Sequence, residues 1–465
     1  MEDFAFIGAL VGLAWGLVVL RFGGLMGACA AILLTGTCFG AYFFSVPVPP
    51  IPLTIDRLLL VVLVAQYVIC WAMGWTLNKP VTHSDLATLC FLFVLTASTL
   101  THDWAIQNAM PLSRLVFFYM MPLAMYWVAR QIVQTERATY MLFGGMAVFG
   151  LYLAATAIAE THEMAFLVFP AYITSPKFPE FLGRGRGPFL NPAACGLVQA
   201  VCLSAAWMFW PRLSRLSKCA LIPFTLMMFI GVYCTYTRSA WMGLGLSMFV
   251  ILAALLPRTW RMPFFGGAVI ATSLVVATQW ESLLAFKRDK ALSAQETQDS
   301  ALLRPMLAQI ALNMFIDRPL VGFGFGQYMQ HNVDYVNDRT TELPLAKAKP
   351  YVQHNVWLGL LTETGLIGVT TFCVMLWFWL HNAWHVWRTQ SAPPYARYQA
   401  LLFLATFAAY LPNALFQDIS ITSMVNMLLF FLAGLVEGLK YQIHSIKQPK
   451  IERPSYASGF RAALT

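Results

Sequence analysis

Charge is scarce in this sequence: thirty Lys and Arg with 21 Asp and Glu make up 11% of its 465 residues, where soluble domains carry roughly 25%. A surface that meets water on all sides cannot be built from so few. No basic segment precedes the first apolar run, which follows Met-Glu-Asp and has no convincing cleavage site, so that run is expected to be kept as a span. The nine cysteines are odd in number, form no Cys-x-x-Cys pair and lie almost wholly inside apolar runs. They read as small hydrophobes, and a disulfide scaffold is excluded. Internal repeats, low-complexity tracts, paired carboxylates and Asp-x-Asp motifs are also missing. His381 and His385 share a helix face but have no third ligand nearby, so no catalytic metal and no cofactor is expected.

Apolar residues are what the sequence has instead. They make up 59% of it, above the roughly 45–50% of globular chains, and mean hydropathy is +0.64. The class expected is all-α, a polytopic membrane protein with a lipid bilayer as its first partner. A bilayer core of about 30 Å takes about 20 residues per helix, fewer where interfacial residues complete the span. Thirteen stretches qualify: 4–20, 22–44, 57–77, 86–101, 111–129, 138–159, 189–209, 219–236, 239–256, 263–280, 354–380, 398–416 and 420–438.

Alternate loops divide by charge, one set carrying sixteen Lys and Arg against four acids. The positive-inside rule makes that set cytoplasmic, which puts residues 160–188 and 281–353 outside. The expected organisation is helices 1–10 in residues 1–280, an external subdomain in 281–353, helices 11–13 in 354–438 and a cytoplasmic tail in 439–465. Orientation and anionic lipid account for the basic loops, so nucleic acid is not an expected partner.

Four constellations fall on the outer side. In Gly183-Arg184-Gly185-Arg186-Gly187-Pro188, followed by Asn191-Pro192, two guanidiniums on side-chain-free backbone beside a helix start could cradle an anion. A flexible turn with interfacial arginines is the other reading. In Tyr236-Thr237-Arg238-Ser239-Ala240-Trp241 an arginine sits where cations are disfavoured, so it either meets an anion or snorkels to headgroup phosphates. The run after Ser300 repeats apolar residues at helical spacing and predicts an amphipathic helix with Arg304 at its entrance, Pro305 in its first turn and Asp317-Arg318-Pro319 at its end. Gly322, Gly324 and Gly326 then predict a tight turn, since their spacing does not fit a dinucleotide fingerprint.

The fourth is Gln353-His354-Asn355 at the head of span eleven, with Glu363 and Gly365 beyond it. A helix N-terminus favours neutral imidazole, the form that accepts a proton. Glu363 lies about half a turn off the His354 face, so its carboxylate needs a partner on another element or a proton.

Taken in order, Arg186-Gly187 with Asn191-Pro192-Ala193, Thr237-Arg238-Ser239-Ala240-Trp241, Arg304 before Pro319-Leu-Val-Gly-Phe-Gly324, and His354-Asn355 with Glu363-x-Gly365 resemble the bacterial O-antigen ligase and polymerase superfamily. The resemblance covers residues 183–368. The turn departs from the usual pattern, since Thr237 stands before Arg238 where relatives often have Ser. It implies a GT-C-type, all-helical glycosyltransferase of the inner membrane with a dozen or so spans, a mostly helical periplasmic insert and a periplasmic active site. The donor would be an undecaprenyl-diphosphate-linked glycan. The acceptor would be the lipid A core in a ligase, a second lipid-linked glycan in a polymerase, or a protein hydroxyl, with no metal and no nucleotide sugar. A regulator of chain length is a further partner it allows. The family's arginines correspond to Arg238 and Arg304, with Arg186 a weaker match, and its catalytic histidine to His354. Arg184, Asn191, Asn355 and Glu363 are expected around the substrate. A transporter of a lipid-linked or anionic substrate is the rival class, using the same arginines as a binding site.

Overall fold

Short polar caps in front of apolar runs set where the helices begin. Thr82 accepts from the backbone of Asp85 while Asp85 reaches back to Thr82, a capping box, and Thr135 and Ser214 cap their helices singly. The computed structural model describes residues 23–46, 52–74, 76, 79–106, 110–284, 294–337, 341 and 343–447. The predicted first span, 4–20, and the tail beyond 447 lie outside them.

In chain order the helices are α1 (Gly23–Cys38), α2 (Ile55–Ala72), α3 (His83–Leu100), α4 (Pro111–Gln131, with a π turn at Val116–Met120), α5 (Glu136–Thr161), α6 (Pro192–Trp207) and α7 (Arg215–Tyr233). They continue with α8 (Arg238–Leu255), α9 (Arg258–Leu284), α10 (Ala294–Asp317), α11 (Tyr328–Tyr335), α12 (Val356–Arg388), α13 (Pro394–Phe416) and α14 (Ser423–Lys447). Among the described residues, ten helices are long and apolar enough to cross a membrane. The protein is an all-α, multi-pass membrane protein.

Burial sorts the spans into layers. The α6 and α14 segments are 83% and 89% buried and form the centre, whereas α2 and α7 are 22% buried and turn apolar faces outward. Lipid chains are as apolar as leucine, so the bundle is held by close packing and polar ties rather than by the hydrophobic effect. One such approach joins α8 to α13. A Cβ on Gly243 would meet the Ala409 carbonyl oxygen at 2.7 Å, so any side chain there would force the helices apart.

A buried polar cluster closes the basic ends. Asp85 pairs with Arg130 at 2.8 Å and accepts from the Tyr126 hydroxyl at 2.8 Å. Lys79 donates from Nζ to the carbonyl oxygens of Arg130 and Ile132 at 2.6 and 3.2 Å, and Glu437 accepts both bonds from Asn382. Buried charges of this kind persist only when paired and hydrogen-bonded.

The insert differs from the sequence expectation at its helix. α10 starts at Ala294, so Pro305 and Arg304 lie inside it rather than at its entrance. One face of α10, with Met306, Leu307, Ile310 and Met314, joins Phe323, Tyr328 and Leu345 in a small apolar core belonging to the insert.

Candidate functional site

The end of α13 is where the candidate residues gather. Arg238 is the first residue of α8, which packs against α13 through Gly243. Arg304 comes down from α10 and lies 6.0 Å from the ring centroid of Phe416, the last residue of α13. Asn355 donates from Nδ2 to the carbonyl of Leu415 at 2.8 Å, which fixes the segment carrying His354 to the same helix end.

The charge felt by Arg304 locates its neighbour. Burial first, and then the positive charge of Arg238, pull the Arg304 guanidinium below its usual value. Two guanidiniums close enough for one to feel the other's charge repel, and an anion held between them relieves that repulsion. A diphosphate presents several acceptor oxygens to such a pair.

His354 sits in the bend before α12, half-buried, two residues ahead of the first helical residue. Asn355 is the N-cap: its Oδ1 accepts from Trp357 and Leu358 at 2.8 and 3.0 Å. Both ends of its carboxamide therefore bond backbone groups and hold the chain beside His354. Asn191 caps α6 in the same way with its Oδ1, which accepts from Ala193 and Ala194 at 2.9 and 3.2 Å.

The arginines of the glycine-rich segment also turn inward. Arg186 is fully buried and donates to the carbonyls of Ile173 (2.5 and 3.2 Å), Phe178 (2.6 Å) and Glu180, with the Glu160 carboxylate 3.7 Å away. Arg184 donates to the carbonyls of Thr235 and Tyr236 and, at 2.7 Å, to the Thr237 hydroxyl. The backbone between them is packed, since a Cβ on Gly185 would meet Ala157 at 2.6 Å. The anion cradle expected at Arg184 and Arg186 is thus a knot that ties loop 160–188 to the turn ahead of Arg238. The physical reason is desolvation: buried guanidiniums take the acceptors at hand, here backbone carbonyls.

Glu363 finds its partner on another element. Its Oε1 lies 3.3 Å from Arg114 of α4, and the carboxylate is almost wholly buried. Asp418, in the turn after α13, shares that charge: burial raises its carboxyl above the usual range, while Arg114 and the Ser420 hydroxyl act against the rise. Arg114 and Asp418 are absent from the sequence expectation, although an arginine inside the apolar run of α4 was a legible signal.

α12 breaks just past Glu363. Gly365 has φ 62° and ψ −161°, and the turn 319–326 fills the gap. Phe323 and Gly324 donate to the carbonyls of Thr362 and Glu363 at 2.9 Å each, while Leu366 and Ile367 donate to those of Pro319 and Leu320 at 2.9 and 3.2 Å. The backbone groups freed by the break are thereby satisfied within protein, the condition for irregular chain at membrane depth. At Gly322 and Gly365, φ is positive and a Cβ would meet backbone atoms at 2.6 and 2.4 Å.

Residues 223–373 match the family model described as O-antigen ligase. No curated protein matches the chain. The matched segment holds Arg238, Arg304, His354, Glu363 and the wedge of 319–326, and it excludes Arg114, Asp418, Arg184 and Arg186.

Proposed function

We propose that this chain, a member of the O-antigen ligase and polymerase superfamily through its residues 223–373, transfers a glycan from an undecaprenyl-diphosphate donor to an acceptor hydroxyl at the outer face of the bacterial inner membrane. Support comes from Arg304, which lies beside the end of α13 within reach of the Arg238 charge, and from Asn355, which ties the His354 segment to the same helix end.

In the reaction the bond from the anomeric carbon to the diphosphate oxygen breaks and its electron pair leaves with the diphosphate. The acceptor oxygen attacks the opposite face, forming the new glycosidic bond with inversion, and its proton passes to His354. Negative charge grows on the leaving group as that bond stretches, and two preorganised guanidiniums stabilise it most where it is greatest. A hydroxyl with a pKa far above neutrality needs a base at hydrogen-bond distance, worth about 10²–10⁴-fold in rate. Arg114, Glu363, Asp418 and the 319–326 wedge hold the half of α12 that presents His354. Arg184 fixes the turn that presents Arg238.

Transfer by detergent-purified protein in the presence of a chelator tests the proposal, and with no second compartment it also separates an enzyme from a transporter. His354→Ala is expected to lose turnover by about 10²-fold or more while retaining donor binding. Near-normal turnover would remove His354 from the mechanism. A ligase acting on the lipid A core and a polymerase joining lipid-linked repeats need the same donor site. In a deletion strain, accumulated lipid-linked polymer marks the ligase and single repeats mark the polymerase.

A further inference from the structure

On the side of α10 away from the insert's core, exposed apolar side chains run toward the helix end, with Asn313, Asp317 and Asp334 bordering Ile316. Leu312 and Ile316, one helical turn apart, are 45% and 64% exposed, and Leu320 and Val321 beyond the helix end are 61% and 59% exposed. Four such side chains in a row are an unusual surface to give to water.

Backbone hydrogen bonds fix the depth of this patch. Pro319 and Leu320 accept from Leu366 and Ile367 of α12 at 2.9 and 3.2 Å, so Leu320 and Val321 lie level with the first turn beyond the break. Leu366 and Ile367 are themselves 45% exposed on a membrane span. From Leu366 to His385, which precedes the basic end of α12 at Arg388, the helix rises about 29 Å at about 1.5 Å per residue. That matches a hydrocarbon core of about 30 Å. The tip of the insert is therefore at the acyl boundary of the leaflet on its own side, continuous with a lipid-facing helix. Arg318, between Ile316 and Leu320 in the chain, is exposed, with its guanidinium 4.7 Å from the ring centroid of Phe323 in the insert's core, and its long stem leaves the head within reach of a lipid phosphate.

We infer that residues 312–321 form a membrane-embedded foot of the insert: the acyl chains of the adjacent leaflet cover Leu312, Ile316, Leu320 and Val321, and Arg318 takes a lipid phosphate. On the function proposed above, the insert then rests in the leaflet that holds the lipid-linked donor, with Arg304 about three turns back along the same helix. The inference stands on packing and depth, whatever reaction the protein performs.

A nitroxide amino acid placed singly at 320, 321 and, as reference, 367 of the full chain tests it, since nine native cysteines rule out thiol labelling. The protein is reconstituted in phosphatidylethanolamine and phosphatidylglycerol bilayers and probed with oxygen, which partitions into lipid, and a nickel chelate, which stays in water. The expected result is an oxygen-to-nickel accessibility ratio at 320 and 321 that matches Ile367 and greatly exceeds that of the free label in buffer. Nickel access at 320 and 321 with lipid access at 367 would overturn the inference. So would shielding from both reagents, which would mean that a second copy or another protein covers the patch. Arg318→Gln supplies the second arm: vesicle-bound phosphatidylglycerol, read by native mass spectrometry after mild delipidation, should fall relative to wild type, and unchanged retention would remove Arg318 from the assignment.

Discussion

Arginines sit in two different settings in this protein, and their partners separate them. Arg184 and Arg186 already meet backbone carbonyls, whereas Arg304 faces another cation. Arg238→Lys and Arg304→Lys should each impair transfer in the purified assay by about tenfold or more, because an ammonium keeps the charge but loses the planar fork that grips two phosphate oxygens. Arg186→Met should act through structure. Breaking a buried ion pair costs about 3–5 kcal/mol, so loop 160–188 should become sensitive to protease and the melting temperature should drop; an intact loop would refute the knot. At this scale the sequence offered residue type and local motif, and Arg238, Arg304 and His354 were singled out on those alone. It did not show direction. Gly-Arg-Gly-Arg-Gly suits an exposed cradle and a packed knot equally, and only Glu160, more than twenty positions upstream, and the carbonyls of 173–180 decide between them.

Among the elements, α12 carries the most consequence. Gly365→Ala combines a left-handed backbone with a Cβ 2.4 Å from the Leu320 carbonyl. Such a residue costs several kcal/mol and shifts the half-helix that follows His354. A lower melting temperature together with reduced turnover is expected, and Gly322→Ala should behave alike. The tie between Arg114 and Glu363 invites a double-mutant cycle in thermal stability. Arg114→Met alone strands a buried carboxylate beside Asp418 and should destabilise strongly. Arg114→Met with Glu363→Leu should recover part of that loss, whereas equal losses in both would show that the pair is not coupled. Span positions were legible from apolar run length, and the turn at 322–326 from its glycines. The break was not, because Glu363-Thr-Gly365 interrupts an apolar run no more than many packed helices do, and the plug that satisfies it lies some forty residues earlier in the chain. The start of α10 was misplaced for a related reason: Pro305 suits a first turn, yet the helix runs through it from Ala294.

For the whole molecule, stability should depend on pH through the buried cluster at the basic ends. Burial first, and then the charge of Arg130, pull the Lys79 ammonium down to about 7. The unfolded chain keeps this proton up to the ordinary lysine value near 10.4, so between the two the unfolded state binds more protons and stability rises with pH. The slope from this group is at most about 1.4 kcal/mol per pH unit, and it vanishes below about 7, where both states hold the proton. Melting temperature compared between wild type and Lys79→Met from pH 7 to 9 reads it directly: the wild-type curve should climb more steeply, and parallel curves would exclude Lys79 as the source.

The plugged break in α12 also governs how this protein can be re-engineered. Because 319–326 fits a notch cut by Gly365 and bordered by Ser98, His102 and Pro111, the insert is a keyed part rather than an appendage. Chimeras that exchange the outer segment between relatives to alter specificity should fail unless key and keyhole travel together.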